Sequence, residues 1–263
     1  MNIQRIAYYL SHPHKLLDAV KRKMLHKRIR SSYNYESYEL DQIQKFRAIG
    51  LDYASSKNVL KNIYAENPDL MVKMQSCHHN LFAALIEHDP KRILEIGTHT
   101  GAGSALLSKL FPSADIETID LPDDHPVFDQ GAFSIYGRNS NPLRLEFLEK
   151  RNLLLGKCPN VTFSQMDSTA LTIRTDKSYD FIWVDANHEF PYVATDIANG
   201  IRLLAADGIM GCDDVRTENS DTMSTLRQFA DAGLIDYTLI HKRTELPDNL
   251  DLVGKYIAVV RKK

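Results

Sequence analysis

The residues best suited to chemistry fall in two short runs, Val184-Asp185-Ala186-Asn187-His188 and Gly211-Cys212-Asp213-Asp214. Adjacent aspartates repel, and removing them from water without compensation is costly, so Asp213 and Asp214 must be either well hydrated or neutralised by a cation. With Asp185 they make a three-carboxylate oxygen site, and hard oxygen ligands favour magnesium, or manganese as a substitute, over zinc. His188 follows Asp185 closely enough to take a proton from a hydroxyl held there. Imidazole titrates near neutral pH, and a bound cation would stabilise the alkoxide formed. Spacing alone leaves two plainer readings open: solvated loop aspartates, and a histidine that caps the next helix.

A second group of residues is built for binding. Leu94-Glu95-Ile96-Gly97-Thr98-His99-Thr100-Gly101-Ala102-Gly103-Ser104 joins an expected strand to an expected helix. Glycines there let backbone amides approach a ligand that any Cβ would obstruct. Asp120 ends the next strand, where a carboxylate can accept both hydroxyls of a ribose. Asp167 ends the third strand and can accept from the exocyclic amine of an adenine, or simply cap a helix. These strand ends face the sheet edge at which doubly wound folds bind ligands. A nicotinamide enzyme is the first rival, since Gly97-x-x-x-Gly101-x-Gly103 is similar to the loop of short-chain dehydrogenases. Tyr53-Ala54-Ser55-Ser56-Lys57 even resembles that family's Tyr-x-x-x-Lys, but it precedes the loop instead of following it and reads as helix surface.

The elements that must position these residues follow from periodicity. From Pro90 onward, short β-rich runs alternate with helical ones, which predicts a parallel sheet with crossover helices. Strands are expected at 92–96, 115–120, 161–166, 179–184, 208–212, 237–241 and 255–260. Helices are expected at 104–110, from Pro142 to Gly156, at 192–204 and at 222–232, with an irregular insert over 121–140 whose Tyr136 and Arg138 would cover the substrate. The fold class is α/β, a doubly wound Rossmann-like seven-stranded sheet whose last pair is antiparallel. Residues 1–75 are expected as a helical extension to a catalytic domain over 76–263. That extension would hold a helix over 15–30, a polar linker over 31–38, and two further helices between Asp41 and His88.

At 263 residues the chain suffices for one large α/β domain with an appended segment. No stretch approaches the roughly 20 apolar residues of a membrane-spanning helix. A formal net charge of -2 gives no global attraction to nucleic acid, so none is expected as a partner. Basic residues do crowd the first 30 positions, where Lys21, Arg22, Lys23, Lys27, Arg28 and Arg30 lie among apolar residues at helical spacing. Such a helix suits packing on the domain, packing on a second copy of the chain in a homo-oligomer, or peripheral contact with an anionic membrane. Cys77, Cys158 and Cys212 form no Cys-x-x-Cys pair, and the opening residues lack the apolar core of a secretion signal, so a cytoplasmic location is expected.

Four motifs together carry a family resemblance: Glu95-x-Gly97-x-x-x-Gly101-x-x-Ser104, Thr118-Ile119-Asp120-Leu121-Pro122, Val184-Asp185-Ala186-Asn187-His188, and Asp207-Gly208-Ile209-Met210-Gly211-Cys212-Asp213-Asp214. They look like those of class I S-adenosylmethionine-dependent methyltransferases. More narrowly, they resemble the metal-dependent sugar O-methyltransferases of macrolide and aminocoumarin biosynthesis, from about Leu81 to the C-terminus. Ala186-Asn187 departs from the usual glycine and small or acidic residue. The resemblance implies S-adenosylmethionine held by Glu95, Gly97, Thr98, Gly101, Ser104, Asp120, Asp167 and Asp185. It also implies magnesium on Asp185, Asp213 and Asp214, with His188 as base and Asp185 assisting. The expected reaction is methylation of a hydroxyl on a sugar or glycan-like small molecule. Its rivals are a metal-independent methyltransferase of another acceptor and a non-catalytic cofactor-binding protein.

Overall fold

Continuous apolar runs make the centre of the sheet, because parallel strands covered on both faces cannot alternate with polar residues. The computed structural model describes residues 13–71, 76–129, 142–175, 178–218, 220–246, 250 and 253–263; Tyr136 and Arg138 of the expected insert lie outside them. Seven strands form one sheet: β1 (Arg92–Ile96), β2 (Asp115–Asp120), β3 (Val161–Gln165), β4 (Tyr179–Val184), β5 (Leu204–Arg216), β6 (Ile235–His241) and β7 (Lys255–Lys262). Their order is β3-β2-β1-β4-β5-β7-β6. The first five are parallel, and β7 runs antiparallel between β5 and β6. The order reverses between β1 and β4, which opens a crevice at their carboxyl ends.

Eight helices are described: α1 (Pro13–Ser32), α2 (Tyr35–Ala48), α3 (Tyr53–Glu66), α4 (His78–Ala84), α5 (Ala102–Leu110), α6 (Pro142–Leu155), α7 (Tyr192–Leu203) and α8 (Asp221–Asp231). Side chains alternate across the strands, so two cores result. Ile93, Phe181, Trp183 and Val259 pack with residues of α2 to α5, including Phe46, Leu60, Phe82 and Leu106. Leu94, Ile182, Val184 and Met210 pack on the opposite face with Val193, Ile197, Met223 and Leu226 of α7 and α8. Burying each such side chain stabilises the fold by about 1.5–3 kcal/mol. Among the described residues no helix is long and apolar enough to cross a membrane.

The N-terminal part differs from expectation. The linker expected over 31–38 is helical apart from Tyr33 and Asn34: α1 runs on to Ser32, and Asn34 caps α2 by accepting from the Ser37 amide. Tertiary contacts override the polar composition, since Tyr33 Oη donates to the Thr244 carbonyl and Gln42 exchanges hydrogen bonds of 2.8 and 2.9 Å with His241. Two α-helices, α3 and α4, lie between Asp41 and His88, as expected, and Asp41 itself falls inside α2. Tyr53, expected on a helix surface, is buried at the start of α3 within reach of Thr244. On α1 the side chains of Val20, Met24 and Leu25 are exposed.

Candidate active site

The loop from Gly97 to Gly101 leaves β1 at the crevice and is shaped by close backbone approach. Gly97 has φ +105°, and a Cβ there would lie 2.7 Å from the carbonyl carbon of Asp185 and 2.9 Å from the amide of Ala186. Gly101, at φ +77°, starts α5 in the left-handed region; of the first helix amides, Ala102 N–H reaches Thr100 Oγ1 at 3.4 Å and the Ser104 amide turns to the Glu95 carboxylate. His99, at φ +47°, donates its backbone N–H to Asp120 Oδ2 at 2.8 Å, and Leu121 N–H occupies Asp120 Oδ1 at 2.8 Å. Each carboxylate oxygen keeps a further lone pair for a ligand hydroxyl. Such a glycine cradle beside a strand-end carboxylate fits an adenosyl group. Asp167 caps the turn over 168–173 through the Thr169 amide at 2.8 Å, the capping geometry that its spacing also allowed.

Across the crevice, β4 delivers Asp185 and His188, and β5 delivers Asp213 and Asp214. Between Cys212, opposite Ala258, and Val215, opposite Tyr256, two β5 residues face one β7 residue. This bulge, with Asp214 at φ +52°, turns the acidic pair inward. Asp213 is 4% exposed, and its Oδ1 has no hydrogen-bond partner. Lys242 Nζ donates to Asp213 Oδ2 and Asp214 Oδ1, and Lys255 Nζ donates to Asp214 Oδ2. Burial and the neighbouring Asp213 carboxylate hold Asp185 well above the usual carboxylate range. Burial opposes ionisation of Asp214 too, but the two ammonium groups more than offset it and hold that carboxyl far below its ordinary value.

His188 Nε2 stands 3.6 Å from Asp185 Oδ1. Desolvation lowers its pKa despite the opposing pull of Asp214 and Asp213, so the imidazole is neutral and able to accept a proton at neutral pH. The expected magnesium site does not fit this arrangement. Among the described residues no group of three or more acidic, His or Cys side chains is disposed to hold a metal ion, and an ammonium already bridges two of the three carboxylates.

Residues 94–215, from the first strand through the acidic pair, match a family model described as a methyltransferase domain. This stretch, 122 of the 263 residues, is the part of the chain that resembles methyltransferases. The chain is similar to an O-methyltransferase from Bacillus cereus solved in complex with SAH, at 16% identity, covering 80% of this chain and 91% of that one with a TM-score of 0.48. It is also similar to TomG from Streptomyces achromogenes, an O-methyltransferase involved in tomaymycin synthesis and solved with SAM, at 19% identity, covering 81% and 90% with a TM-score of 0.49. Comparison with curated protein sequences finds no match.

Three motif residues lie behind the cradle. Glu95, Thr98 and Ser104 are all buried. Glu95 Oε2 accepts from Ser104 Oγ and from Thr118 Oγ1, the latter at 2.7 Å, and Thr98 Oγ1 lies 2.7 Å from Thr118 Oγ1. They brace the loop from beneath, and Gly103 has no Cβ because Glu95 Oε1 occupies that space. Burial, only partly offset by the Ser104 and Thr118 hydroxyls, pushes the Glu95 carboxyl from 4.5 up to about 7. The folded protein therefore binds a proton more tightly than the unfolded chain, and stability falls as pH rises through this window, then levels off above about 7. Glu95→Gln is expected to remove that slope and to gain at most about 3 kcal/mol over the parent at pH about 8, at about 1.4 kcal/mol per pKa unit. Urea midpoints at pH about 5 and about 8 check this; equal pH slopes in both proteins would sink it.

Sequence reasoning missed Lys242, Lys255 and the turn at His99. Lys242 sits in His241-Lys242-Arg243, a run that looks like ordinary basic surface. The only available signal was the demand of two adjacent aspartates for a cation.

Proposed function

We propose that this methyltransferase transfers the methyl group of S-adenosylmethionine to a hydroxyl of a small polyhydroxylated acceptor, a sugar or glycan-like molecule, with His188 as general base. The observation that carries this reading is the contact of the Gly97 backbone with Asp185, which joins the glycine cradle and the His188 site in one crevice. When bound, the cofactor supplies a methyl carbon activated by its sulfonium. The protein's part is alignment and proton removal. Gly97 and Gly101 leave room for the cofactor, Asp120 takes the ribose hydroxyls, and Asp167 accepts from the adenine amine. Asp185 orients the acceptor hydroxyl, and neutral His188 accepts its proton at Nε2.

A shallow neighbouring recess offers contacts to a hydroxyl-rich acceptor at its rim. Tyr33, Tyr38, His241, Arg243 and Tyr256 line it together with Lys255, the same lysine that bonds Asp214. The rings of Tyr38 and Tyr256 lie 5.0 and 5.4 Å from that of His241, a wall of aromatic faces with cationic donors at its rim. The test has two parts. Calorimetric titration of S-adenosylmethionine should give saturable binding that Asp120→Ala weakens about 10- to 100-fold, the worth of hydrogen bonds to a charged group. A panel of sugars, polyols and catechols should then release S-adenosylhomocysteine, with sugars preferred. Cofactor binding without product from any acceptor would establish the non-catalytic alternative; product only from catechols would replace the acceptor class.

A further inference from the structure

We propose that Lys242 is the resident cation of the active site, with its ammonium occupying the mouth of the carboxylate cluster in place of a divalent ion. The inference rests on the active site proposed above but concerns this chain's own lysine. Its first support is placement. Lys242 Nζ donates at once to Asp213 Oδ2 and Asp214 Oδ1, the two oxygens from neighbouring residues that a chelated ion would need to share. Its second is anchorage. The Lys242 amide donates to the Lys255 carbonyl at 3.1 Å, and its own carbonyl accepts from Cys77 N–H at 2.8 Å, so both sides of its backbone are fixed. Its side chain is 10% exposed, which leaves the ammonium no hydrated position to swing into.

Charge points the same way. Asp213 and Asp214 are faced by Lys242 and Lys255, so two adjacent carboxylates already meet two ammonium groups. A divalent ion would enter against two fixed positive charges in a poorly hydrated site, where like charges repel most strongly. Asp213 Oδ1 is buried beside the Asp185 carboxyl. An ammonium has three N–H donors, of which Lys242 spends two on Asp213 and Asp214. The third is available to an oxygen that is losing its proton, the electrostatic service otherwise expected of a metal.

The probe is Mn2+ alone, titrated into the full chain and followed by loss of the free-ion EPR signal, with S-adenosylmethionine calorimetry run in parallel. The wild type should leave Mn2+ free and show the same thermal midpoint in MgCl2 as in EDTA. Lys242→Met keeps the apolar stem, removes the charge, and should bind Mn2+ at least about tenfold more tightly through the uncovered carboxylates. Stoichiometric Mn2+ binding by the wild type, or a variant that binds no better than the parent, overturns the proposal. Should Lys242→Met fail to fold, the wild-type titration and the EDTA comparison decide alone. Loss of S-adenosylmethionine binding in the wild type would instead strike the proposed function, so the two failures are distinct.

Discussion

Replacing His188 with alanine is expected to cut turnover by about 10²- to 10⁴-fold while leaving cofactor affinity unchanged, because a positioned general base is worth that much and His188 lies outside the glycine cradle. The distance of 3.6 Å to Asp185 is too long for a hydrogen bond, so the ring is not committed to a structural partner in that direction. Its pKa is lowered by desolvation, which places the acid limb of the rate profile below the ordinary imidazole value of about 6.5. Turnover should therefore hold through neutral pH and fall only as acid protonates His188. His188→Gln keeps some polarity but cannot accept the proton at an imidazole nitrogen, and it should lose activity to a similar degree with a flattened acid limb. Full activity in either variant, or an acid limb centred well above about 6.5, would move the base to another residue.

Much of the sheet could be read from sequence because its strands obey one physical rule. β1 and β4 are covered on both faces, so they are largely apolar runs with sharp ends, while β2 also buries the polar Glu117 and Thr118; the bounds of all three coincide with expectation. β5 was read too short. Leu204 reads as the end of the preceding helix and Ala205 to Asp207 as a link, and only pairing of Leu204 with Tyr179 makes them strand. Likewise Tyr33 and Tyr38 resemble linker residues until Thr244 and His241, some 200 positions away, supply their partners. The same limit applies to the site. Asp185, His188, Asp213 and Asp214 were legible because each follows a recognisable strand, whereas Lys242 reaches them only through the order β5-β7-β6. The motif also concealed a division of labour: Glu95 and Ser104 sit within it, yet they bond to each other and support the loop instead of lining the crevice.

Gly97→Ala should be the most damaging Gly→Ala change among the described residues, and comparison with Gly50→Ala shows why. Both glycines have positive φ, +105° and +77°, so either alanine carries left-handed strain of roughly 1–2 kcal/mol. At Gly50 a Cβ meets nothing within 4 Å, and that strain is the whole cost. At Gly97 it runs into the backbone of Asp185 and Ala186, which cannot rotate away as a side chain would. Forcing β1 from β4 there adds overpacking of about 1–3 kcal/mol, for a total of about 2–5 kcal/mol. The function should suffer more than the stability. The Gly97 and Thr98 amides both donate to the Ile119 carbonyl, and Asp185 N–H donates to the Ile96 carbonyl at 2.8 Å, so parting the strands displaces the cradle and Asp185 together. Urea unfolding and S-adenosylmethionine titration of the two variants separate the contributions. Gly50→Ala should bind cofactor like the parent, and Gly97→Ala should show no measurable binding even where it remains folded. If both variants lose stability equally and both bind cofactor, the strain lies in the backbone angles alone, and the junction of cradle and carboxylate site does not depend on that close approach.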